Sequence, residues 1–116
     1  MDHYLIWFNL KSGCSAYEFL NDMNQYLDHL KEDLPMEGYQ LWRRKLGFGP
    51  EEIGEFQLDI QFKGMKELDK VFHKVIEGIH EDNETEALHR RVYSKVTNFK
   101  TGLYRDFPDE SGSLIQ

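Results

Sequence analysis

Residues Glu55–Phe62 read Glu-Phe-Gln-Leu-Asp-Ile-Gln-Phe, an unbroken alternation of polar and apolar side chains. Successive side chains of an extended chain point to opposite faces. Phe56, Leu58, Ile60 and Phe62 therefore form one side, and Glu55, Gln57, Asp59 and Gln61 the other. The period of two predicts a strand with one face in the core. Its polar face must look at water, at a second subunit or at a ligand.

Just before this strand, Gly38–Phe48 alternates less cleanly. Tyr39 and Leu41 share a side with Arg43 and Lys45, and Trp42 and Leu46 share the other with Gln40 and Arg44. Charge on both sides predicts an edge strand, and Gly47-Phe48-Gly49-Pro50 supplies the turn of a hairpin. After it, Gly64 marks a change of period. Leu68, Val71, Phe72, Val75, Ile76 and Ile79 make one face of a helix over about Met65–His80. Asp82-Asn83-Glu84-Thr85 breaks that helix. Asn83, with Glu86 three residues on, caps a third helix carrying Ala87, Leu88, Val92 and Val96. Asn98–Phe107 is a closing strand, with Phe99, Thr101, Leu103, Arg105 and Phe107 on one side. Lys100, Gly102, Tyr104 and Asp106 take the other side, and Pro108 stops it.

At the other end of the chain, His3–Leu10 is almost wholly apolar and predicts a strand buried on both faces. Tyr4, Ile6, Phe8 and Leu10 line one face, and His3, Leu5, Trp7 and Asn9 the other. Ser15 and Glu18 have the spacing of a capping box. The helix they start, about Ser15–Asp33, buries Phe19, Met23, Leu27 and Leu30 and ends before Leu34-Pro35. The order is strand, helix, strand, strand, helix with a short helical insert, strand. Two crossovers joined by a hairpin give an α+β, ferredoxin-like βαββαβ sandwich, its first and third strands central in a four-stranded antiparallel sheet. Residues 1–108 make this single domain, and 109–116 read as a loose tail. Leu5 and Trp7 should not lie bare on the open face of one sheet. A second copy packed sheet to sheet about a two-fold axis is the economical cover.

With 116 residues the chain fits one core, and eight Phe, six Tyr and two Trp carry much of its burial. A net charge of −7 argues against nucleic-acid and anionic-membrane partners. Cys14 is the single cysteine, which excludes an internal disulfide and suits a reducing compartment. The start lacks the pattern of a signal peptide, and no apolar run approaches the ~20 residues that span a bilayer. A cytoplasmic protein is expected.

The aromatic first strand, the order of elements and the ending Leu103-Tyr104-Arg105-Asp106-Phe107-Pro108-Asp109 resemble the dimeric α/β barrel superfamily. More narrowly, Arg43-Arg44-Lys45-Leu46-Gly47, Gly54-Glu55-Phe56 and the Tyr104–Asp109 ending resemble an uncharacterised bacterial single-domain family within it. The resemblance implies two sheets closing into a barrel across a homodimer. It also implies a ligand cleft between each sheet and its helices or at the barrel mouth. Cofactor-free oxygenases of aromatic polyketides, haem-degrading oxygenases, small isomerases and stress-response proteins share this fold, so fold alone does not choose among them. The haem branch needs an asparagine near the end of the first strand and a histidine on the second long helix. Counting back from Gly13 places Trp7 rather than Asn9 there, and His73 and His80 lie about 100° off the apolar face. No cofactor is expected.

No metal-ligand spacing, phosphate loop or nucleophile elbow occurs. Cys14 precedes a helix start but has no histidine beside it, so an ordinary free thiol is expected. His89 and Tyr93, four apart on the third helix, project from one side and could orient a substrate or move a proton at a cleft mouth, unless that side is solvated or contacts a partner. His3 and Asp59 should meet across the two central strands, beside Trp7, Asn9, Gln57 and Gln61 and with Tyr104 on the same face. That group is a proton-transfer site or, as we favour, a polar dimer interface. The candidate catalytic residues are thus His3, Asp59, His89 and Tyr93. The candidate ligand-binding residues are Trp7, Asn9, Gln57, Gln61 and Tyr104. The expected function is that of a homodimeric binder of a small aromatic or apolar molecule, as a cofactor-free oxygenase or isomerase. A non-catalytic structural or regulatory homodimer is the alternative.

Overall fold

A computed structural model describes residues 1–108 of the chain; the expected tail at 109–116 lies outside the described residues. The elements follow the predicted order: β1 (Asp2–Leu10), α1 (Ala16–Asp33), β2 (Gly38–Arg43), β3 (Phe56–Phe62), α2 (Met65–Glu81), α3 (Glu84–Tyr93) and β4 (Val96–Arg105). Every strand pair is antiparallel, and the order across the sheet is β2-β3-β1-β4. β1 and β3 are central, as two crossovers and a hairpin require. No helix among the described residues is long and apolar enough to cross a membrane.

Period alone sets which face is core. Phe56, Leu58, Ile60 and Phe62 are all buried, while the polar residues between them are half-buried. They meet Phe8 of β1 and the face of α1 formed by Phe19, Met23, Leu27 and Leu30. Phe8 stacks on Phe56 at 5.5 Å and packs against Phe19 at 5.2 Å. Ser15 caps α1 by accepting from the Glu18 amide, and the helix ends at Leu34, before Pro35. Asn83 caps α3 in the same way from the Glu86 amide.

Two boundaries differ from expectation. β2 stops at Arg43 rather than running to Phe48, because Leu46 and Gly47 take left-handed backbone angles. Arg44 then turns inward and donates to the carbonyls of Pro50, Ile53 and Gly54, which ties the loop to itself. β4 begins at Val96 and ends at Arg105, leaving Asp106 and Phe107 beyond the strand. A bulge at Asn98, also left-handed, shifts the register with β1 between Trp7 and Asn9, and pairing resumes beyond it to Val96. Gly54 lies so close to β1 that a Cβ there would sit 2.2 Å from the Phe8 carbonyl. Only glycine permits this approach, which delivers the Glu55 amide to Asn9.

Helix α2 covers its side of the sheet incompletely. Leu68 and Val71 are buried, but Phe72 and Ile76 on the same apolar face are 37 % and 53 % exposed. Opposite them on β4, Phe99 and Leu103 are also exposed. The helix thus stands off the sheet along β4, and the gap between them is a cavity.

Candidate functional site

The two faces of the sheet carry two separate clusters. On the face away from the helices, His3 lies opposite Gln61 and Tyr104, and Trp7 opposite Gln57. The expected contact between His3 and Asp59 forms, diagonally rather than directly across the pair, with His3 Nδ1 at 3.0 Å from an Asp59 oxygen. Its Nε2 is 2.7 Å from Asp106, which the sequence put beside Tyr104 as a residue that would join this group if it shared the face. A neutral imidazole has one N–H, whereas both nitrogens here meet carboxylate oxygens, so the arrangement is fully satisfied only by an imidazolium. Partial burial lowers the His3 pKa, but the hydrogen bonds to Asp106 and Asp59 and their charges outweigh it and raise the group above 6.5. The same bond from His3 holds the Asp106 carboxyl below its ordinary value, helped by the chain's amino terminus 3.6 Å away. With both nitrogens engaged, His3 is an ion-pair member rather than a free base.

The Trp7 indole donates to Gln57 at 2.8 Å and meets the Tyr104 ring edge-on. Gly102 makes room for both rings; a Cβ there would press within 3.0 Å of Tyr104 and 3.3 Å of Trp7. Trp42 of β2, opposite Gln57, adds a second indole to this face and is half exposed. The Gln61 amide donates weakly to Asp59. Asn9 does not join the group: its side chain accepts from the Glu55 amide at 2.8 Å and anchors the start of β3.

On the helix side a cavity of about 530 Å³ lies between the sheet and the three helices. Tyr4, Ile6 and Phe8 form its floor, Phe19, Met23 and Tyr26 of α1 one wall, and Phe72, Val75 and Ile76 of α2 another. His89 and Tyr93 of α3 line its polar end. This is the size of pocket that encloses a small organic ligand.

Behind His89 stands Glu86, a carboxylic residue buried to 4 % exposure. One of its oxygens is 3.3 Å from His89 Nδ1, and the other accepts from the Tyr93 hydroxyl at 3.3 Å. Arg90 approaches the same oxygen at 3.7 Å but is held from outside by Asp82 at 3.0 Å. A carboxylate only accepts, so it selects the His89 tautomer with the proton on Nδ1 and leaves Nε2 as the basic nitrogen. The ring is fixed further by stacking on Tyr26 at 5.2 Å and by the edge contact with Tyr93 at 4.8 Å. Burial first, and the charge of Glu86 second, push the Tyr26 phenol far above its ordinary value. A histidine oriented by a carboxylate at the end of an apolar cavity can remove and return a proton.

The predicted site residues therefore fall into two places. His3, Asp59, Trp7, Gln57, Gln61 and Tyr104 gather on the outer face, while His89 and Tyr93 belong to the internal cavity. The two groups occupy opposite faces of the sheet. Glu86 and Tyr26 went unassigned in the sequence. Glu86 resembled a cap residue, yet Glu86, His89 and Tyr93 follow at spacings of three and four, which places all three on one side of α3. The helix histidine expected for a haem site is turned away: His73 is exposed and 3.7 Å from Asp69. Among the described residues no group of three or more histidine, cysteine, aspartate or glutamate side chains could hold a metal ion.

A model of a family of unknown function, DUF6614, matches residues 1–114. No curated protein matches the chain. Similar solved structures include the Arabidopsis thaliana protein At3g17210, at 7 % identity and a TM-score of 0.70, covering 95 % of this chain and 99 % of that one. SnoaB, a cofactor-independent oxygenase from Streptomyces nogalater, is similar at 8 % identity and a TM-score of 0.64, covering 93 % and 97 %. A dimeric ferredoxin-like protein of unknown function from Thermobifida fusca is similar at 10 % identity and 0.57, covering 89 % and 88 %. At these identities the likeness is one of fold.

Proposed function

The chain belongs to the family of unknown function DUF6614, and from its own geometry we propose that it binds a small apolar or aromatic molecule and moves a proton on it. The observation that carries this reading is the cavity of about 530 Å³ that ends on His89, with Glu86 behind the ring. An apolar cavity of this size, in place of packed side chains, costs stability and is typical of a ligand site. His89 Nε2 would take a proton from an acidic carbon or hydroxyl of the ligand. Glu86 would hold the ring and stabilise the imidazolium as it forms, the part a buried carboxylate plays behind a general-base histidine. Return of the proton to another carbon makes an isomerase. Passage of electrons from the resulting anion to dioxygen makes a cofactor-free oxygenase, the activity of the similar SnoaB. Neither route assigns a role to haem.

The same proposal makes the protein a homodimer joined through the outer faces of its sheets. Leu5, Trp7, Trp42 and Tyr104 present apolar surface there beside the His3 ion-pair group. A similar structure with this fold is itself dimeric. The outer-face residues then act as interface, not as a second active site.

A thermal-shift screen of neutral and charged aromatic compounds tests the binding reading. Stabilisation by a subset, lost in His89→Ala and kept in His3→Gln, is the expected result. No stabilisation by any compound would leave a structural or regulatory homodimer in its place.

A further inference from the structure

On the cavity reading just given, we infer that Glu86 makes this site selective for uncharged ligands that donate a hydrogen bond, phenols and enols, against carboxylates and phosphates. The inference starts from what the cavity can offer. No lysine or arginine lines it. Its polar end presents His89, whose Nδ1–H donates to Glu86 and whose Nε2 is therefore the basic nitrogen, and a Tyr93 hydroxyl that already donates to Glu86. Both therefore face the ligand as acceptors. Tyr4 and Thr101, which also line it, bring no cationic group.

The nearest cation is Arg90, and it does not change this balance. It is exposed, is absent from the lining, pairs with Asp82, and reaches only the Tyr93 hydroxyl and the Glu86 oxygen away from the imidazole contact. A bound anion would leave water for an apolar space and then meet the Glu86 charge across one imidazole ring. Tyr26 shows both costs within the same walls. Its phenolate would be such an anion, and burial together with Glu86 holds the phenol protonated far beyond its usual range. A substrate that becomes an anion only during reaction escapes the second cost, because its proton then sits on His89 between the two negative charges. The site thus rejects a ligand that arrives charged while admitting one that is deprotonated in place. A fatty acid or a phosphorylated carrier is excluded, and the free neutral molecule is the substrate.

The test uses two probes of one shape, 2-naphthol and 2-naphthoate, at about pH 7, where phenols are neutral and carboxylic acids ionised. Calorimetric titration of the full chain should give 2-naphthol at least about tenfold tighter binding, equivalent to ~1.4 kcal/mol. In Glu86→Gln, whose amide oxygen can still accept from His89, the naphthoate affinity should rise and the gap should close. Naphthoate binding as tightly as naphthol to the unaltered chain would overturn the selectivity while leaving the cavity reading in place. An unchanged gap in Glu86→Gln would remove Glu86 as its cause. Failure of both probes to bind would overturn the cavity reading and this inference with it.

Discussion

Replacing Trp7 with aspartate separates the two sides of the sheet in one substitution. In the single chain Trp7 makes one hydrogen bond, to Gln57 at 2.8 Å, and one edge-on ring contact, to Tyr104 at 6.3 Å. A neutral hydrogen bond contributes about 1 kcal/mol net and an aromatic pair about 1 kcal/mol. The cost to the protomer is thus ~2 kcal/mol, within the ~5–15 kcal/mol by which domains are stable. The cost to the dimer is larger. A central tryptophan is worth at least about 2 kcal/mol to an interface, and a two-fold axis counts it twice. The expected loss is ~4 kcal/mol, or roughly 10³ in the dissociation constant. Sedimentation velocity at micromolar concentration should show the native chain as dimer and Trp7→Asp as folded monomer, with circular dichroism reporting the fold. Trp42→Asp, at a half-exposed position, should weaken the dimer with less effect on folding. Unchanged dimers in both variants would refute sheet-to-sheet assembly.

Stability should depend on pH through the His3 group. His3 is raised in the folded chain, so its contribution is fully present below the unfolded value of 6.5 and is lost as pH rises through the folded one. Asp106 is lowered, so its contribution is present above 3.8 and is lost as pH falls through its folded value. Thermal melts should therefore decline as pH rises above 6.5 in the native chain, and His3→Gln should flatten that decline. Glu86→Ala leaves the half-buried His89 N–H and the Tyr93 hydroxyl without their acceptor and should cost about 1–2 kcal/mol in urea melts, against less than ~1 kcal/mol for Glu86→Gln. Gly54→Ala must push the loop off β1 and release the Glu55–Asn9 bond; a loss of ~2 kcal/mol or more is expected from urea unfolding.

Much of the fold was legible because period and punctuation agreed at each element. The alternation of Glu55–Phe62 fixed its core face, and Gly64, Asn83 and Pro35 marked the ends of helices where the chain does turn. The His3–Asp59 contact followed from strand register, since residues two apart across a pair stay within reach. Asp106 was harder to assign because it lies past the end of β4, where strand pairing no longer dictates direction. The cavity was not legible in the residue pattern itself; only the resemblance implied a cleft between the sheet and its helices. Val71 and Ile76 belong to one apolar stripe, yet one is 4 % exposed and the other 53 %. How far a helix stands from its sheet depends on the sum of side chains beneath it, not on the period of its own. The Glu86 role stayed hidden for a related reason: an acidic residue in a first helical turn is favoured by the helix dipole wherever it points.

A crystal structure of the chain grown with 2-naphthol tests the account most directly. The account predicts the fused ring between β1 and α2, with its hydroxyl within hydrogen-bond distance of His89 Nε2. A naphthol seated on the outer face beside Trp7, or a cavity closed by α2 with no ligand inside, would contradict it.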